Sequence, residues 1–141
     1  MIEIKLLGPP DSDILNNVAE DVFDDPIVIS SAQEFLADPR HRLVVALDDN
    51  SLVGFVSAVV YLHPDKPTPE LWINEIGVAP SHQRQGIGKM LLRKLLDNAK
   101  QSGCTEAWVL TDRANLAAMA MYKSAGGVEE APDPTMFTFA L

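Results

Sequence analysis

The sequence predicts an α/β (α+β) domain in which helices pack on a mixed sheet. Its apolar residues switch repeatedly between the two-residue period of strands and the wider spacing of helices. Turns rich in glycine, proline and aspartate separate these segments. A length of 141 residues suits one domain with a core of its own. The predicted order is strand, two helices, three strands, helix, strand, helix and strand, as in a sheet with helices on its faces.

The N-terminal part of the chain is predicted to form a strand and two helices. Apolar and polar residues alternate over residues 2–6, which is a strand pattern. Beyond a Gly-Pro-Pro turn, Asp11 or Ser12 would cap a helix. Pro26 would end that helix, because a residue before proline avoids the helical conformation. A short second helix is expected over residues 31–37.

The middle of the chain is predicted to form three strands. Residues 43–47 and 52–61 are apolar and β-branched, and an Asp-Asp-Asn-Ser segment between them is a hairpin signal. Three prolines make residues 63–69 a loop. The third strand covers residues 71–78 and ends at Pro80.

The last part of the chain is predicted to hold two helices and two strands. Residues 86–101 carry apolar side chains on one helical face, and Gly103 would end that helix. A strand follows over residues 108–110 and a helix over residues 115–124. Residues 136–141 are expected to form the closing strand.

Charge and composition limit the partners. A net charge of −9 argues against nucleic acid and anionic membranes and favours a cationic substrate. Cys104 is the one cysteine, so no disulfide can form within the chain, which fits a cytoplasmic location. The N-terminus has no signal-peptide pattern, and no apolar run reaches the length of a membrane span. The three histidines lack metal-ligand spacing, so no metal is expected.

The segment HQRQGIGKMLLRKLL, residues 82–96, predicts an anion cradle at the start of a helix. The dinucleotide fingerprint and the P-loop both fail here, because their further glycines are missing. The two glycines still allow close backbone approach, and the helix start adds partial positive charge. Residues 81–100 carry five of the eleven basic residues and one acid. The candidate cofactor-binding residues here are Gln83, Arg84, Gln85, Gly86, Ile87, Gly88 and Lys89.

The pattern Gln/Arg-x-x-Gly-x-Gly/Ala after a strand resembles the pyrophosphate loop of the GNAT superfamily of N-acetyltransferases. Asn115, Ala118 and Tyr122, spaced as Asn-x-x-Ala-x-x-x-Tyr, resemble its second cofactor segment. The runs YLHPDKPTPELWINEIGV, SHQRQGIGKMLL and MYKSAGGVEE are similar to the aminoglycoside 3-N-acetyltransferase branch.

This resemblance implies a fold, a donor and an acceptor. The expected fold is a single domain over residues 1–141, with a mixed, mostly antiparallel twisted sheet of about six to seven strands flanked by about four helices. The implied donor is acetyl-CoA and the implied acceptor is an amine. Similar proteins are frequently dimers, so a homodimer is one expectation.

Acetyl transfer to an amine requires a deprotonated amine, a donor to the developing oxyanion and a proton for the leaving thiolate. The resemblance assigns the oxyanion donor to the backbone of Ile76, Gly77 and Val78. Glu75 is predicted to be a general base or an anchor for the substrate ammonium; the alternative is a strand-end acid facing solvent.

The second cofactor segment supplies two more candidates. Tyr122 is predicted to protonate the thiolate; its alternative is an aromatic side chain packed between helix and sheet. Asn115 is expected to cap its helix and to bond the pantetheine arm. Trp72 and Trp108 are expected in the core.

Acidic residues in predicted loops are candidate contacts for a cationic acceptor, although such clusters are usually only solvated. With Glu75, the candidate substrate-binding residues are Asp24, Asp25, Glu129 and Glu130. The predicted function is an enzyme that acetylates a primary amine of a small cationic molecule, such as an aminoglycoside at its 3-N position, because the acidic charge balance favours such an acceptor. The alternatives are a protein N-terminal or lysine acetyltransferase and a non-catalytic CoA-binding module.

Overall fold

The computed structural model describes residues 1–130 and 135–141. Five strands lie in the described part of the chain: β1 (Ile2–Leu6), β2 (His41–Asp48), β3 (Ser51–Tyr61), β4 (Glu70–Val78) and β5 (Glu106–Val109). The α-helices there are α1 (Ile29–Ala37), α2 (Ile87–Gln101) and α3 (Leu116–Ser124). Two 3-10 helices, Pro9–Asn16 and Pro80–His82, precede α1 and α2.

The strands form one sheet in the order β1-β2-β3-β4-β5. The first three pairings are antiparallel and the pairing of β4 with β5 is parallel. The parallel step requires a crossover, and α2 supplies it. The predicted mixed and mostly antiparallel α/β class is therefore confirmed, with fewer strands than the expected six to seven.

Two glycines show which elements cover the two faces of the sheet. A Cβ on Gly54 would lie 3.3 Å from the side chains of Ile87 and Leu91, so α2 packs on that face. A Cβ on Gly77 would lie 2.5 Å from the carbonyl oxygen of Val22, so the segment before α1 covers the other face. The side chains with no exposed surface between α2 and the sheet include Val44, Val56, Leu71, Leu91 and Leu95.

The first predicted helix is shorter and tighter than expected, and its predicted cap is wrong. It is a 3-10 helix that starts at Pro9, and Asp11 lies within it, where its Oδ2 accepts from the Gly8 backbone N–H at 2.8 Å. The helix ends because the backbone of residues 17–19 pairs with the sheet. Leu52 donates to the carbonyl of Asn17 and accepts from Ala19, each at 2.9 Å.

The predicted closing strand over residues 136–141 is wrong for this structure. A strand exists only where its backbone groups pair with a neighbour, and residues 135–141 pair with none of the described strands. Their large apolar side chains are exposed, from 78% at Met136 to 119% at Leu141. No helix among the described residues is long and apolar enough to cross a membrane.

Candidate active site

A gap opens at the outer edge of β4. The strand pairs with β5 only as far as Ile73, and its register against β3 then skips Asn74, which forms a bulge. Ala79 donates its N–H to the carbonyl of Val53 at 2.8 Å. Because N–H directions alternate along a strand, those of Val78 and Ile76 point away from β3, into the gap.

The predicted anion cradle lies at the end of this gap. The amide of Gln83 donates to the carbonyl of Val78 at 3.1 Å and ties the loop to the strand edge. Arg84 and Gly86 both have positive φ, 63° and 79°. Gly86 precedes α2, and none of the side chains that the structure describes caps the helix, so its first backbone N–H groups are available to an anion. Residues 83–86 are exposed.

His82, for which the sequence predicted no role, holds the start of this loop. Its Nε2 lies 2.7 Å from Oδ2 of Asp48, and its Nδ1 lies 2.8 Å from the hydroxyl of Ser81. The hydrogen bond with His82 is the main cause that lowers the pKa of the Asp48 carboxyl. The histidine directly before the glycine-rich segment was the available signal, but its partner lies 34 residues away.

The start of α2 meets α3 and β4. A Cβ on Gly88 would lie 2.6 Å from Sδ of Met121 and 3.9 Å from Cδ1 of Ile76. Gly88 therefore allows α3 to approach α2. Ile87 is buried in the core beneath, so its backbone alone is available to a ligand. Lys89 stays half-buried on the same helix.

α3 brings Asn115 and Tyr122 to this region. Oδ1 of Asn115 accepts from the Ala118 backbone N–H at 3.1 Å, so the predicted helix cap is confirmed. Tyr122 is half-buried, and burial raises the pKa of its phenol. Among the described residues, no hydrogen bond engages the Tyr122 hydroxyl, so both its predicted role and its packing alternative remain compatible with its position.

A cleft of about 360 Å³ lies on the face of β4 that points away from α2. Its acidic lining residues are Asp24, Asp25 and Glu75, all exposed. Glu75 stands opposite Ser57 of β3, and Phe35 and Phe55 form part of the apolar wall. Three carboxylates in one cleft attract a cation. β4 therefore has the acidic cleft on one face. The gap lies at its outer edge, and the basic start of α2 lies at the end of that gap.

Gly77 serves a purpose that the sequence did not indicate. The carbonyl of Val22 occupies the space that a side chain would need, and the Phe55 ring lies 2.9 Å from the same point. The close approach that Gly77 permits is therefore made by the segment that carries Asp24 and Asp25.

The structure does not bring Glu129 and Glu130 to the acidic cleft. Glu129 pairs with Arg113 through one carboxylate oxygen, and its other oxygen lies 3.4 Å from Nζ of Lys123. Its charge is thus balanced by cations near α3. Glu130 is exposed and is not one of the described residues that line the cleft.

No group of three histidine, cysteine, aspartate or glutamate side chains within residues 1–130 and 135–141 is arranged to hold a metal ion.

Comparisons with known proteins identify the family of the chain. Residues 12–126 match the family model described as Acetyltransferase (GNAT) family. N-alpha-acetyltransferase RimI of Mycobacterium tuberculosis is 39% identical over 105 residues, which are 74% of this chain and 63% of that relative. The chain thus spans less than two thirds of that relative's length.

Solved structures share the fold at low sequence identity. An aminoglycoside acetyltransferase from an uncultured soil metagenomic sample has a TM-score of 0.83 and 23% identity, covering 99% of this chain and 97% of the other. Aminoglycoside N-acetyltransferase AAC(6')-Iy, in complex with CoA, has a TM-score of 0.75 and 18% identity, covering 99% and 95%.

Proposed function

The chain belongs to the GNAT acetyltransferase family, and we propose that it transfers an acetyl group from acetyl-CoA to a primary amine. One observation carries the proposal: the end of β4 leads into a glycine-rich helix start without a side-chain cap among the described residues, its backbone edge beyond Ile73 is not paired with β5, and an acidic cleft lies on the face away from α2. An anionic donor and a cationic acceptor can therefore reach the same strand from two sides.

The residues around the gap suit acetyl-CoA. The free N–H groups at the start of α2, with Arg84 and Lys89, would hold the pyrophosphate. The N–H groups of Ile76 and Val78 would donate to the thioester carbonyl oxygen. The side-chain oxygen of Asn115 accepts from the backbone N–H of Ala118, and its side-chain amide N–H would donate to the pantetheine arm. Bound acetyl-CoA supplies the acetyl group as a thioester, which an amine can attack.

Protons must move on both sides of β4. The acceptor arrives as an ammonium, which has no lone pair, and Glu75 would hold it beside the strand. A nearby carboxylate raises the pKa of the amine, so the proton must reach Glu75 or solvent, and the exposure of Glu75 provides that route. Tyr122, kept protonated because burial raises its pKa, would give a proton to the leaving thiolate.

The acceptor that we propose is the α-amino group of a protein or peptide N-terminus. The relative that is 39% identical is an N-alpha-acetyltransferase, and this likeness outweighs a shared fold at 23% identity. A small cationic amine, such as an aminoglycoside, is the second candidate. The observation that favours it is the convergence of Asp24, Asp25 and Glu75 in one cleft of about 360 Å³.

Thiol release with a panel of acceptors tests the proposal. The panel contains short peptides with free and with blocked N-termini, spermidine, and an aminoglycoside. We expect CoA release with the free peptides or the cations and none with the blocked peptides. Glu75→Gln should lower kcat/KM about 10²-fold or more, as expected for the loss of a general base. A chain that binds acetyl-CoA but acetylates no amine would be the non-catalytic alternative.

A further inference from the structure

A pair of tryptophans stands on the sheet beside the acidic cleft. The rings of Trp72 and Trp108 stack with centroids 5.1 Å apart and planes 10° apart. The sequence predicted both in the core, but 40% of Trp72 is exposed. Because Trp108 covers one side of the Trp72 ring, a ligand must approach that ring from another side.

Neighbouring side chains hold this pair in place. The indole N–H of Trp108 donates to the hydroxyl of Tyr61 at 2.6 Å. His63 contacts the Tyr61 ring edge-on, with centroids 4.9 Å apart, and its Nε2 lies 2.6 Å from a Glu70 carboxylate oxygen. The polar atom of Trp108 is thus satisfied, and the ring that supports Trp72 is fixed from behind. A fixed ring loses little conformational entropy when a ligand binds to it.

The strand register places Trp72 on the same face as Glu75. Trp72 pairs with Val59 and Glu75 pairs with Ser57, and these partners are two residues apart on β3. Residues two apart in a strand share a face and are separated by about 7 Å. The bulge at Asn74 lies in β4 alone, so it keeps Trp72 and Glu75 on one face although they are three residues apart.

We propose that Trp72 binds a second cationic group of the acceptor, about 7 Å along the sheet from the amine held at Glu75. The inference rests on the proposed function and deepens it, because it defines the acceptor as a dication rather than a simple amine. The charge of the region agrees: Asp24, Asp25 and Glu75 line the cleft, and the chain carries a net charge of −9. A guanidinium or ammonium packed on an indole ring gains from the ring quadrupole, and acidic surroundings concentrate such cations.

Matched acceptors test the second contact. Glycyl-arginine amide and glycyl-citrulline amide have the same length and the same reacting amine, but only the former carries the second charge. Putrescine and butylamine form the corresponding pair of small molecules, and comparing the two pairs shows whether the enzyme takes a peptide or a small diamine. We expect the wild-type protein to prefer the dication of each accepted pair.

The variants are Trp72→Ala, Trp72→Phe and, as a control, Leu62→Ala, which removes an apolar side chain that is 80% exposed. Trp72→Ala should raise KM for the dications about 2- to 30-fold, the range of a cation–π contact, with kcat nearly unchanged. Trp72→Phe should restore part of this affinity. The control variant should show no change with any acceptor, and Trp72→Ala should show none with the singly charged acceptors.

Equal losses with doubly and singly charged acceptors would overturn the inference, as would an unchanged KM for the dications. Fluorescence provides a test that needs no turnover: glycyl-arginine amide should quench the emission of the wild-type protein more than that of Trp72→Phe, and glycyl-citrulline amide should not. Quenching without acetylation of any amine would overturn the proposed function but leave the cation contact at Trp72 supported. Acetylation with no difference between the wild-type protein and the Trp72 variants would support the proposed function and overturn the contact at Trp72.

Discussion

Gly86 has a positive φ of 79° at the point where the loop turns into α2, and a Cβ there would meet no atom of residues 1–130 or 135–141 within 4 Å. Gly86→Ala is therefore limited by backbone strain alone, about 1–2 kcal/mol. Relief of that strain would turn the first N–H groups of α2 away from the anion, so we expect acetyl-CoA affinity to fall about tenfold or more. Calorimetry and chemical denaturation measure the two effects.

Gly103 offers a matched control at the other end of α2. Its φ is 90° and it too has open space around it. Gly103→Ala should lower the free energy of unfolding by a similar amount and leave acetyl-CoA affinity unchanged. Equal affinities for the two variants would show that the Gly86 turn does not bind the cofactor.

Tyr122 is the residue for which the proton-donor role and the packing role predict different kinetics. Tyr122→Phe keeps the ring, so acetyl-CoA affinity should hold while turnover falls about 10²–10⁴-fold. Because burial raises the pKa of this phenol from its ordinary value of about 10, the donor stays protonated at neutral pH. The wild-type rate should decline only above pH 10, and the variant should lack that decline. A fall in turnover of less than about threefold would assign Tyr122 to packing.

At the scale of single residues, local patterns predicted more than long-range pairs did. The glycine-rich loop and the Asn115 cap depend on neighbours within a few residues, and both lie where the sequence placed them. The bond between His82 and Asp48, and the engagement of Glu129 by Lys123, depend on which side chains the fold brings together. No spacing rule reports such pairs.

At the scale of elements, packing constraints separate two glycines that look alike in the sequence. A Cβ on Gly77 would meet the backbone oxygen of Val22 at 2.5 Å, whereas one on Gly88 would meet the flexible side chain of Met121 at 2.6 Å. Gly77→Ala must move a backbone segment and should cost about 1–3 kcal/mol of stability. Gly88→Ala should cost less, because the methionine can change rotamer.

The kinetic consequences should differ as well. The segment that Gly77→Ala displaces carries Asp24 and Asp25, so KM for the acceptor should rise while acetyl-CoA affinity is retained. Denaturation curves and steady-state kinetics of both variants check this. A larger stability loss for Gly88→Ala would contradict the packing argument.

Strands and helices with a clear period were predicted well, and the elements that failed did so for a reason outside the pattern. A helix was predicted to start at Asp11 or Ser12 and to end before Pro26, but only residues 9–16 form a helix, because the backbone of residues 17–19 pairs with Leu52 at the start of β3. Residues 136–141 have apolar residues at strand spacing, yet a pattern does not supply a pairing partner. Tertiary contacts decided both cases.

At the scale of the whole molecule, the family and the fold class could be read from the sequence, and the family match over residues 12–126 confirms the predicted GNAT membership. The order of elements and two spaced motifs were sufficient for this. The position of the acidic cleft was not predictable, because the bulge at Asn74 and the loop over Gly77 arise only in the folded chain. A homodimer and the acceptor remain predictions.

The net charge of −9 leads to the last prediction, which concerns ionic strength. Acids that line the cleft should attract a cationic acceptor over a distance of about 10 Å at 0.1 M salt, and added salt screens this attraction. We expect kcat/KM for spermidine or glycyl-arginine amide to fall several-fold between about 0.02 M and 0.5 M salt, and kcat/KM for glycyl-citrulline amide to fall less.

Asp24→Asn combined with Asp25→Asn should flatten the salt dependence of kcat/KM. Asp13→Asn combined with Asp65→Asn removes the same charge from exposed positions outside the cleft lining, and should change the salt dependence less. If kcat/KM depended equally on salt in the two double variants, the net charge of the protein, and not the cleft, would attract the acceptor.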